Sequence, residues 1–171
     1  MSASPALGFF AVRPARIEDA ATIVDFNIRL ALETEKKELE LPVVTAGVDA
    51  ILRDPRLGRY FVAFEGDRVI GQLMVTEEWS DWRNGRIFWL QSVFVDPAVR
   101  GKGVFRRMLA QIHKVGRTEG VVGIRLYVEN HNQRAQETYL RYGFADAGYR
   151  VLEQIPLPPP GGGSGARGTR R

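Results

Sequence analysis

The sequence predicts an α/β fold, a mixed β-sheet with helices on both of its faces. Two nearly continuous apolar runs, 87–95 and 121–128, are long enough to form buried central strands. The segments 103–119 and 133–142 instead show the helical spacing of apolar residues and end at Gly120 and Gly143. A strand, a helix, a strand and a helix in succession around two buried strands indicate such a mixed sheet.

The elements on either side of this centre are predicted from the same periodicities. Pro14 fixes the backbone before a helix, in which Ala20, Ala21, Val24 and Ile28 share one face. The remaining predicted elements are strands over 9–13, 60–64 and 69–76, helices over 17–32 and 45–52, and further strand material over 144–153.

The length of 171 residues suits one domain, and 44% hydrophobic residues are enough for an ordinary core. We therefore expect a single domain over residues 1–155. The remainder, 156–171, reads PLPPPGGGSGARGTRR, which is too poor in apolar residues to pack, so it is predicted to be a disordered tail rich in Pro, Gly and Arg.

Composition excludes several classes of chemistry. The chain has no cysteine, which rules out disulfides, thiolate catalysis and thiolate metal ligands, and its two histidines argue against a metal site. It shows neither a signal peptide nor an apolar run of membrane-spanning length, so a cytoplasmic protein without a membrane partner is expected. The net charge of +4 would allow nucleic-acid binding, but no zinc finger, RNP signature or recognition helix accompanies it, and ordinary solvated charge is favoured.

The segment after the first central strand has the composition of an anion-binding loop. Asp96-Pro97 ends the strand, and the following loop contains two glycines and several cations before a helix begins near Gly103. Backbone N–H groups of such a loop, together with the helix N-terminus, attract phosphates. The alternative is a tight turn with incidental surface cations. The loop matches neither a Walker A motif nor a dinucleotide fingerprint, which disfavours nucleotide hydrolysis and NAD chemistry.

Two motifs resemble those of the GCN5-related N-acetyltransferase (GNAT) superfamily. Residues 100–104 read R-G-K-G-V and match the pattern Q/R-x-x-G-x-G/A, from which Phe105 departs at the last position. Asn132, Ala135, Tyr139 and the Gly-Phe pair at 143–144 match N-x-x-A-x-x-x-Y-x-x-x-G-F. The resemblance extends over roughly residues 12–153, and two motifs in the expected order are more specific than either alone.

The resemblance implies a GNAT-type sheet that splays between its two central strands, with acetyl-CoA as the cofactor in the opening. The backbone of Val93, Phe94 and Val95 would pair with the pantetheine arm, and an amide of this strand would polarise the thioester carbonyl. Asn132 and Ala135 would contact the arm from the other side. The pyrophosphate would be held by the loop and the helix start, which comprise Arg100, Gly101, Lys102, Gly103, Val104, Phe105 and Arg106.

The same resemblance assigns Tyr139 as the proton donor to the departing thiolate, since a phenol with an ordinary pKa of roughly 10 is protonated at neutral pH. The catalytic base stays open. Many family members have a Glu on the central strand where this chain has Gln91, which cannot accept a proton but could orient water. Deprotonation of the amine could then pass through water to Glu77 or Glu78, although solvated surface charge explains these two carboxylates equally well.

The acceptor is predicted to be a cationic amine, bound by acidic and aromatic side chains at Glu33, Glu77, Trp79 and Trp82. Solvated charge and packed tryptophans are the alternative. The sequence therefore predicts an acetyl-CoA-dependent N-acetyltransferase that acts by direct attack on a primary amine of a small molecule, such as a polyamine, an amino acid or an aminoglycoside-like compound. A non-catalytic acyl-CoA-binding module and a protein N-terminal or lysine acetyltransferase stay open. The resemblance is also compatible with a homodimer, because dimers are frequent in the family.

Overall fold

The structure is a computed structural model in which residues 8–157 are described. The predicted tail therefore lies outside the described residues from position 158 onward. The strands are β1 (Ala11–Pro14), β2 (Arg59–Glu65), β3 (Arg68–Ser80), β4 (Gly85–Val95) and β5 (Gly123–Leu126). The α-helices are α1 (Ala20–Glu35), α2 (Leu41–Arg53), α3 (Val104–Thr118) and α4 (Gln133–Arg141).

The five strands form one mixed sheet in the order β1-β2-β3-β4-β5. The first four strands are antiparallel neighbours, and β5 runs parallel to β4 after the crossover through α3. This arrangement confirms the predicted α/β fold with its mixed sheet. The predicted runs 87–95 and 121–128 are the central strand β4 and, in a shorter form, β5.

Helices cover both faces of the sheet, as predicted. On one face, α3 presents the buried side chains of Val104, Met108 and Ile112 to Phe88 and Leu90 of β4. On the other face α1 and α2 pack against β2 and β3, with Ile23, Val24, Val48, Tyr60, Val62 and Met74 in the core. The alternation of side chains along β3 and β4 therefore decides which residue faces α3 and which faces α1.

Two helix starts differ from the prediction. Helix α2 begins at Leu41 rather than at residue 45, because Pro42 is tolerated in the first turn, where its missing N–H costs nothing. Helix α1 begins at Ala20, after a short 3-10 turn over Ile17–Asp19. The Asp19 side chain accepts hydrogen bonds from Arg16 N at 2.7 Å and from Arg13, and it thereby fixes this turn.

The strand material predicted over 144–153 is wrong, since the described residues contain no strand after β5. The segment turns at Gly148, which has a φ of +72° and whose N–H donates to Asp146 Oδ1 at 2.8 Å. Apart from the half-buried Phe144, its apolar side chains, among them Tyr149 and Leu152, are exposed rather than alternately buried. A run of β-favouring residues does not become a strand without a neighbour to pair with.

Candidate active site

A cleft opens where the two central strands separate. The pairing of β4 with β5 ends at Leu90 opposite Leu126, whereas β4 continues to Val95. The backbone of Gln91–Val95 consequently has no strand partner on that side within the described chain, and residues 91–95 line the cleft. Such an open strand edge can pair with the amides of an extended ligand. The predicted splay lies at this point.

A β-bulge interrupts β4 at the bottom of the cleft. Gln72 faces Phe94 and Met74 faces Gln91, so β4 has one more residue than β3 between these pairs. Ser92 lies in the bulge with a φ of +49°, a left-handed value that is uncommon for a residue other than glycine. The bulge was not predicted from the sequence. Its only signal was the polar pair Gln91-Ser92 within an otherwise apolar strand.

The glycine loop leads into the N-terminus of α3 and forms a cradle of free amides. Gly101 and Gly103 have φ values of +79° and +84°, which explains why glycine is needed at both positions. The first hydrogen bond of the helix runs from Arg107 N to Gly103 O at 3.1 Å. The N–H groups of residues 104–106 precede that bond and therefore have no acceptor within the helix. They are available to an anion at the positive end of the helix dipole.

The Arg100 side chain does not extend to this cradle. Its Nη1 and Nη2 donate to the two carboxylate oxygens of Glu33 at 2.5 and 2.7 Å, and its Nε donates to Val95 O at 2.9 Å. The bond from Arg100 lowers the pKa of the Glu33 carboxyl and outweighs the opposing effect of burial. The two residues predicted to bind phosphate and amine thus neutralise each other and join the end of α1 to the loop. Lys102 and Arg106 of the same loop also line the cleft.

Tyr139 lies on α4 against the start of α3. Its ring contacts the Phe105 ring edge-on, with the centroids 5.6 Å apart, and Phe144 packs against it at 5.8 Å. Phe105, which departs from the family pattern, therefore points at α4 and leaves its backbone amide in the cradle. Burial raises the pKa of the Tyr139 phenol to about 12, so this group is protonated over the whole neutral range.

Asn132 and Ala135, which were predicted to contact the cofactor arm, line the cleft from the α4 side. Asn132 is the N-cap of α4, and its Oδ1 accepts the Ala135 N–H at 3.1 Å. Because the cap uses the oxygen, the Nδ2 group of the same side chain is the donor that can reach a ligand in the cleft. Asparagine at this position thus serves the helix and the cleft at once.

Gln91 lines the cleft, whereas Glu78 lies farther along the same face of the sheet, where it pairs with Ile87 rather than with Gln91. Gln91 Nε2 donates to Thr76 Oγ1 at 2.7 Å, a hydrogen bond that does not use the carboxamide oxygen of this cleft-lining residue. The Glu78 carboxylate accepts from Trp89 Nε1 and from Arg125 Nη1, the latter at 2.9 and 3.2 Å. Two donors therefore occupy the carboxylate that was predicted to be a base.

Three predicted acceptor residues do not line the cleft. Glu77 lies on the α3 face of the sheet, opposite to Glu78, because neighbouring residues of a strand face opposite ways. There it forms ion pairs with Arg59 at 3.1 Å and Arg86 at 3.2 Å. Trp79 and Trp82 are 63% and 85% exposed near the tip of the β3–β4 hairpin. The structure thus brings only Glu33 of the four predicted acceptor residues to the cleft, where it is paired with Arg100.

An aromatic wall, formed by Trp89 and Tyr127, was missed by the sequence analysis. The two rings are stacked with their centroids 4.4 Å apart, and the Arg125 guanidinium lies 5.6 Å from the Trp89 ring centre. All three side chains line the cleft. The sequence feature that indicates this wall is the spacing of Trp89 and Gln91, which puts both on one face of β4. It can be interpreted only after the faces of the strand are assigned.

The described part of the chain, residues 8–157, contains no group of three or more His, Cys, Asp or Glu residues that could hold a metal ion. In the same range, no helix combines the length and apolar character needed to cross a membrane.

Comparison with known proteins identifies relatives for this arrangement. The family described as "Acetyltransferase (GNAT) family" matches residues 26–144. The crystal structure of a possible acetyltransferase from Clostridium difficile 630 is 44% identical, with a TM-score of 0.79, and the match covers 86% of this chain and 97% of that one. A predicted acetyltransferase from Clostridium acetobutylicum, solved with acetyl-CoA, shares the fold at 19% identity and a TM-score of 0.72, with 86% and 97% coverage. Thialysine N-epsilon-acetyltransferase from Bos taurus is 29% identical over 82 residues, which span 48% of each chain.

Proposed function

Because this chain belongs to the acetyltransferase (GNAT) family, whose cofactor is acetyl-CoA, we propose that it acetylates a primary amine of a small molecule by direct attack. The observation that carries the proposal is the open edge of β4. It runs for residues 91–95 beyond the last pair with β5 and leads directly to the amide cradle at the start of α3. A strand edge beside an anion site suits a cofactor that joins an amide-containing arm to a pyrophosphate.

The residues present fit acetyl-CoA. The free amides of residues 104–106 and the side chains of Lys102 and Arg106 would hold the pyrophosphate. The backbone of Val93–Val95 would pair with the pantetheine arm, and Asn132 with Ala135 would contact it from α4. A β-carbon at Gly101 would meet no atom within 4 Å, so that position needs glycine for its backbone conformation alone. When bound, acetyl-CoA supplies an acetyl group activated as a thioester.

The reaction proposed here needs no acyl-enzyme, and the chain has no cysteine to carry one. The amine nitrogen forms a bond to the acetyl carbon, and the bond from that carbon to sulfur breaks. One proton leaves the amine and one proton is supplied to the sulfur, so the charges balance. An amide of the β4 bulge stabilises the charge that develops on the carbonyl oxygen, in the manner of an oxyanion hole.

Tyr139 is the group proposed to donate to the departing sulfur. Two features support this role, namely the position of Tyr139 in the cleft and the raised pKa of about 12, which keeps the phenol protonated. Phe105 and Phe144 hold the ring from two sides by edge contacts, so the hydroxyl has few alternative positions. Tyr142 also contacts Phe105, at 5.5 Å, and provides a matched comparison for experiments.

The amine proton is proposed to leave through water rather than directly to a carboxylate. Gln91 lines the cleft and its bond to Thr76 does not use the carboxamide oxygen, which allows it to order a water next to the amine. Glu78 is on the same face of the sheet as Gln91, but Trp89 and Arg125 already donate hydrogen bonds to its carboxylate. We assign Glu78 to holding those two side chains in place. Glu77 is not proposed as the base, because it faces α3.

The aromatic wall supports an acceptor of small size with an apolar portion next to its amine. The stacked rings of Trp89 and Tyr127 offer apolar surface beside Gln91. The nearby Arg125 cation is paired with the Glu78 carboxylate at 2.9 Å, so the two charges compensate each other beside the rings. The bovine relative is named for a substrate that carries a side-chain amine, which supports the same class, although the match covers about half of each chain.

The test is CoA release measured with a thiol reagent. Because the protein lacks cysteine, every thiol detected comes from the cofactor and the protein background is zero. A panel would compare polyamines, amino acids, aminoglycosides and a peptide with a free N-terminus, with acetyl-CoA affinity measured by calorimetry. We expect micromolar binding of acetyl-CoA and acceleration by a small primary amine.

Other outcomes of this experiment decide against the proposal. Acceleration by the peptide alone would indicate a protein acetyltransferase. Tight binding without acceleration by any amine would indicate a non-catalytic acyl-CoA-binding module. Absence of acetyl-CoA binding would contradict the assignment of the cleft itself.

A further inference from the structure

Four polar side chains are packed together behind the bulge of β4. They are Asn27 of α1, Tyr60 of β2, Gln72 of β3 and Ser92 of β4, which we call the bulge network. Gln72 is 0% exposed and Tyr60 is 5% exposed, whereas Asn27 and Ser92 are half-buried and line the cleft. Polar side chains from four separate elements rarely converge in a core without hydrogen bonds that connect them.

The network is connected by hydrogen bonds that end at the bulge. Gln72 Nε2 donates to Asn27 Oδ1 at 2.8 Å and makes a longer contact of 3.4 Å with Ser92 O. Asn27 Nδ2 donates to the Tyr60 hydroxyl oxygen at 3.0 Å. Burial raises the pKa of Tyr60, while the bonds to Asn27 and to the Ser92 side chain act in the opposite direction. Ser92 is therefore approached by the network through both its carbonyl and its side chain.

The network does not have the composition that stability alone would select. Gln72 Oε1 is buried and has no hydrogen-bond partner within the described chain. An unpaired buried oxygen destabilises a fold, and a methionine of similar length would avoid that cost. Buried polar groups that disfavour folding are typical of places where a precise geometry is required.

The geometry that needs support is the backbone of Ser92. Its φ of +49° is strained for a residue with a β-carbon, so surrounding contacts have to hold it. The β3–β4 ladder is irregular at this point and gives less support than it does elsewhere in the sheet. On the α1 side, the rings of Phe26 and Phe94 are 4.8 Å apart and fix the strand just beyond the bulge. The bulge network supplies the polar restraint at the bulge itself.

We propose that Asn27, Tyr60 and Gln72 are positioning residues, which hold Ser92 in its left-handed conformation and thereby aim the amides of the bulge into the cleft. The inference rests on the proposed function, in which one of those amides stabilises the thioester oxygen. It differs from that function in naming residues that restrain the strand; Gln72 and Tyr60 are too buried to touch acetyl-CoA or the amine. These side chains would act on the transition state through the backbone they restrain.

The first variant is Gln72→Met, which keeps the length of the side chain and removes its bonds. We expect kcat to fall by about 10- to 100-fold, because a small misplacement of a donor has effects of that order. The Kd of acetyl-CoA should change by less than about threefold, since the cradle at α3 supplies much of the binding. The Tm should be equal or higher, because an unpaired buried oxygen is removed.

The matched control is Val48→Ala, a buried change in α2 on the same side of the sheet and outside the network. It should lower Tm and leave kcat within about twofold of wild type when measured well below the transition. A structural role for Gln72 would give the control pattern, with lost stability and retained kcat. A positioning role gives the reverse pattern.

Asn27→Leu and the double variant with Gln72→Met test whether the residues act as one unit. If both act through Ser92, the fold-losses in kcat should not multiply, because the first change already releases the bulge. Amide spectra of wild type and Gln72→Met, with and without acetyl-CoA, provide an independent readout. The Ser92 and Val93 resonances should shift on binding in wild type and shift less in the variant.

The outcomes separate this inference from the proposed function. If wild type binds acetyl-CoA and turns over an amine while Gln72→Met keeps kcat within about twofold, the positioning role is wrong and the enzyme assignment stands. Multiplying losses in the double variant would also contradict it. If wild type neither binds acetyl-CoA nor acetylates any amine, the proposed function fails, and the inference fails with it.

Discussion

Replacement of Tyr139 by phenylalanine isolates the role of a single hydroxyl. The variant keeps the ring, and with it the edge contacts to Phe105 and Phe144, so packing is preserved. We expect an unchanged Tm and an unchanged Kd for acetyl-CoA, together with a lower kcat. The hydroxyl acts on the departing sulfur, which carries charge only as the bond to carbon breaks, and its loss should therefore appear in kcat.

The size of the loss follows from the pKa values. The Tyr139 phenol has a pKa of about 12, whereas an ordinary thiol has one of about 8.5. Complete transfer of the phenolic proton to the thiolate would cost about 5 kcal/mol over that gap of about 3.5 units. Hydrogen-bond donation to the developing charge, worth about 1.5–3 kcal/mol, is then the larger part of the effect. The expected decrease in kcat is about 10- to 150-fold.

The assay is thiol release at saturating acetyl-CoA and amine, measured from pH 7 to pH 11. Tyr139 acts while protonated and its raised pKa is about 12, so it should produce no falling limb of kcat below about pH 11. Tyr142→Phe is the control, since that ring also meets Phe105 edge-on, and it should keep wild-type kcat. A Tyr139→Phe enzyme within about twofold of wild type, or an equal loss in Tyr142→Phe, would refute the assignment.

Three further perturbations test the loop, the base and the fold. In Gly103→Val, a β-branched residue would have to adopt a φ of +84°, so the Kd of acetyl-CoA measured by calorimetry should rise about tenfold or more. The control is Gly47→Ala in α2, which should leave this Kd unchanged. Glu78→Gln should keep the acidic limb of the pH–rate profile, since two donors already occupy this carboxylate; loss of the limb would identify Glu78 as the base. Burial of Asp19 opposes its ionisation, but the bond from Arg13 and a backbone N–H lower its pKa below 3.8 overall. The stability that the ionised Asp19 provides is present above pH 3.8 and is lost as the pH falls through the lowered pKa. Denaturation should therefore show Asp19→Asn to be about 1.5–3 kcal/mol less stable than wild type at pH 7 and closer to wild type at pH 3. A difference in stability that stays constant between these pH values would contradict this.

Local patterns were sufficient for most elements of the fold. The apolar run 87–95 became β4, and the stripe of Val104, Met108 and Ile112 became the buried face of α3, because burial periodicity is a property of neighbouring residues. The expected strand over 144–153 did not form. A strand requires a partner, and partners are chosen by tertiary contacts that no local pattern contains.

In the candidate site too, features set by local sequence could be predicted and features set by tertiary contacts could not. The glycines of the anion loop and the polar cap at Asn132 act through their own backbone neighbourhood, so their spacing in the sequence was informative. The side-chain partners were not predictable in this way. Glu33 bonds Arg100 from 67 residues away, and Glu77 faces α3 rather than the cleft.

By itself, the sequence determined the mixed α/β fold, most of the order of strands and helices, and a loop that suits an anion. These features follow from residue spacing, which limits backbone dihedrals and alternates faces whatever the rest of the chain does. Tertiary structure alone decided which carboxylates are free, which aromatic rings line the cleft and how the bulge at Ser92 is held. Those outcomes depend on hydrogen bonds and burial among residues that are distant in sequence, because the free energy of a charged or polar group is set by its surroundings in space.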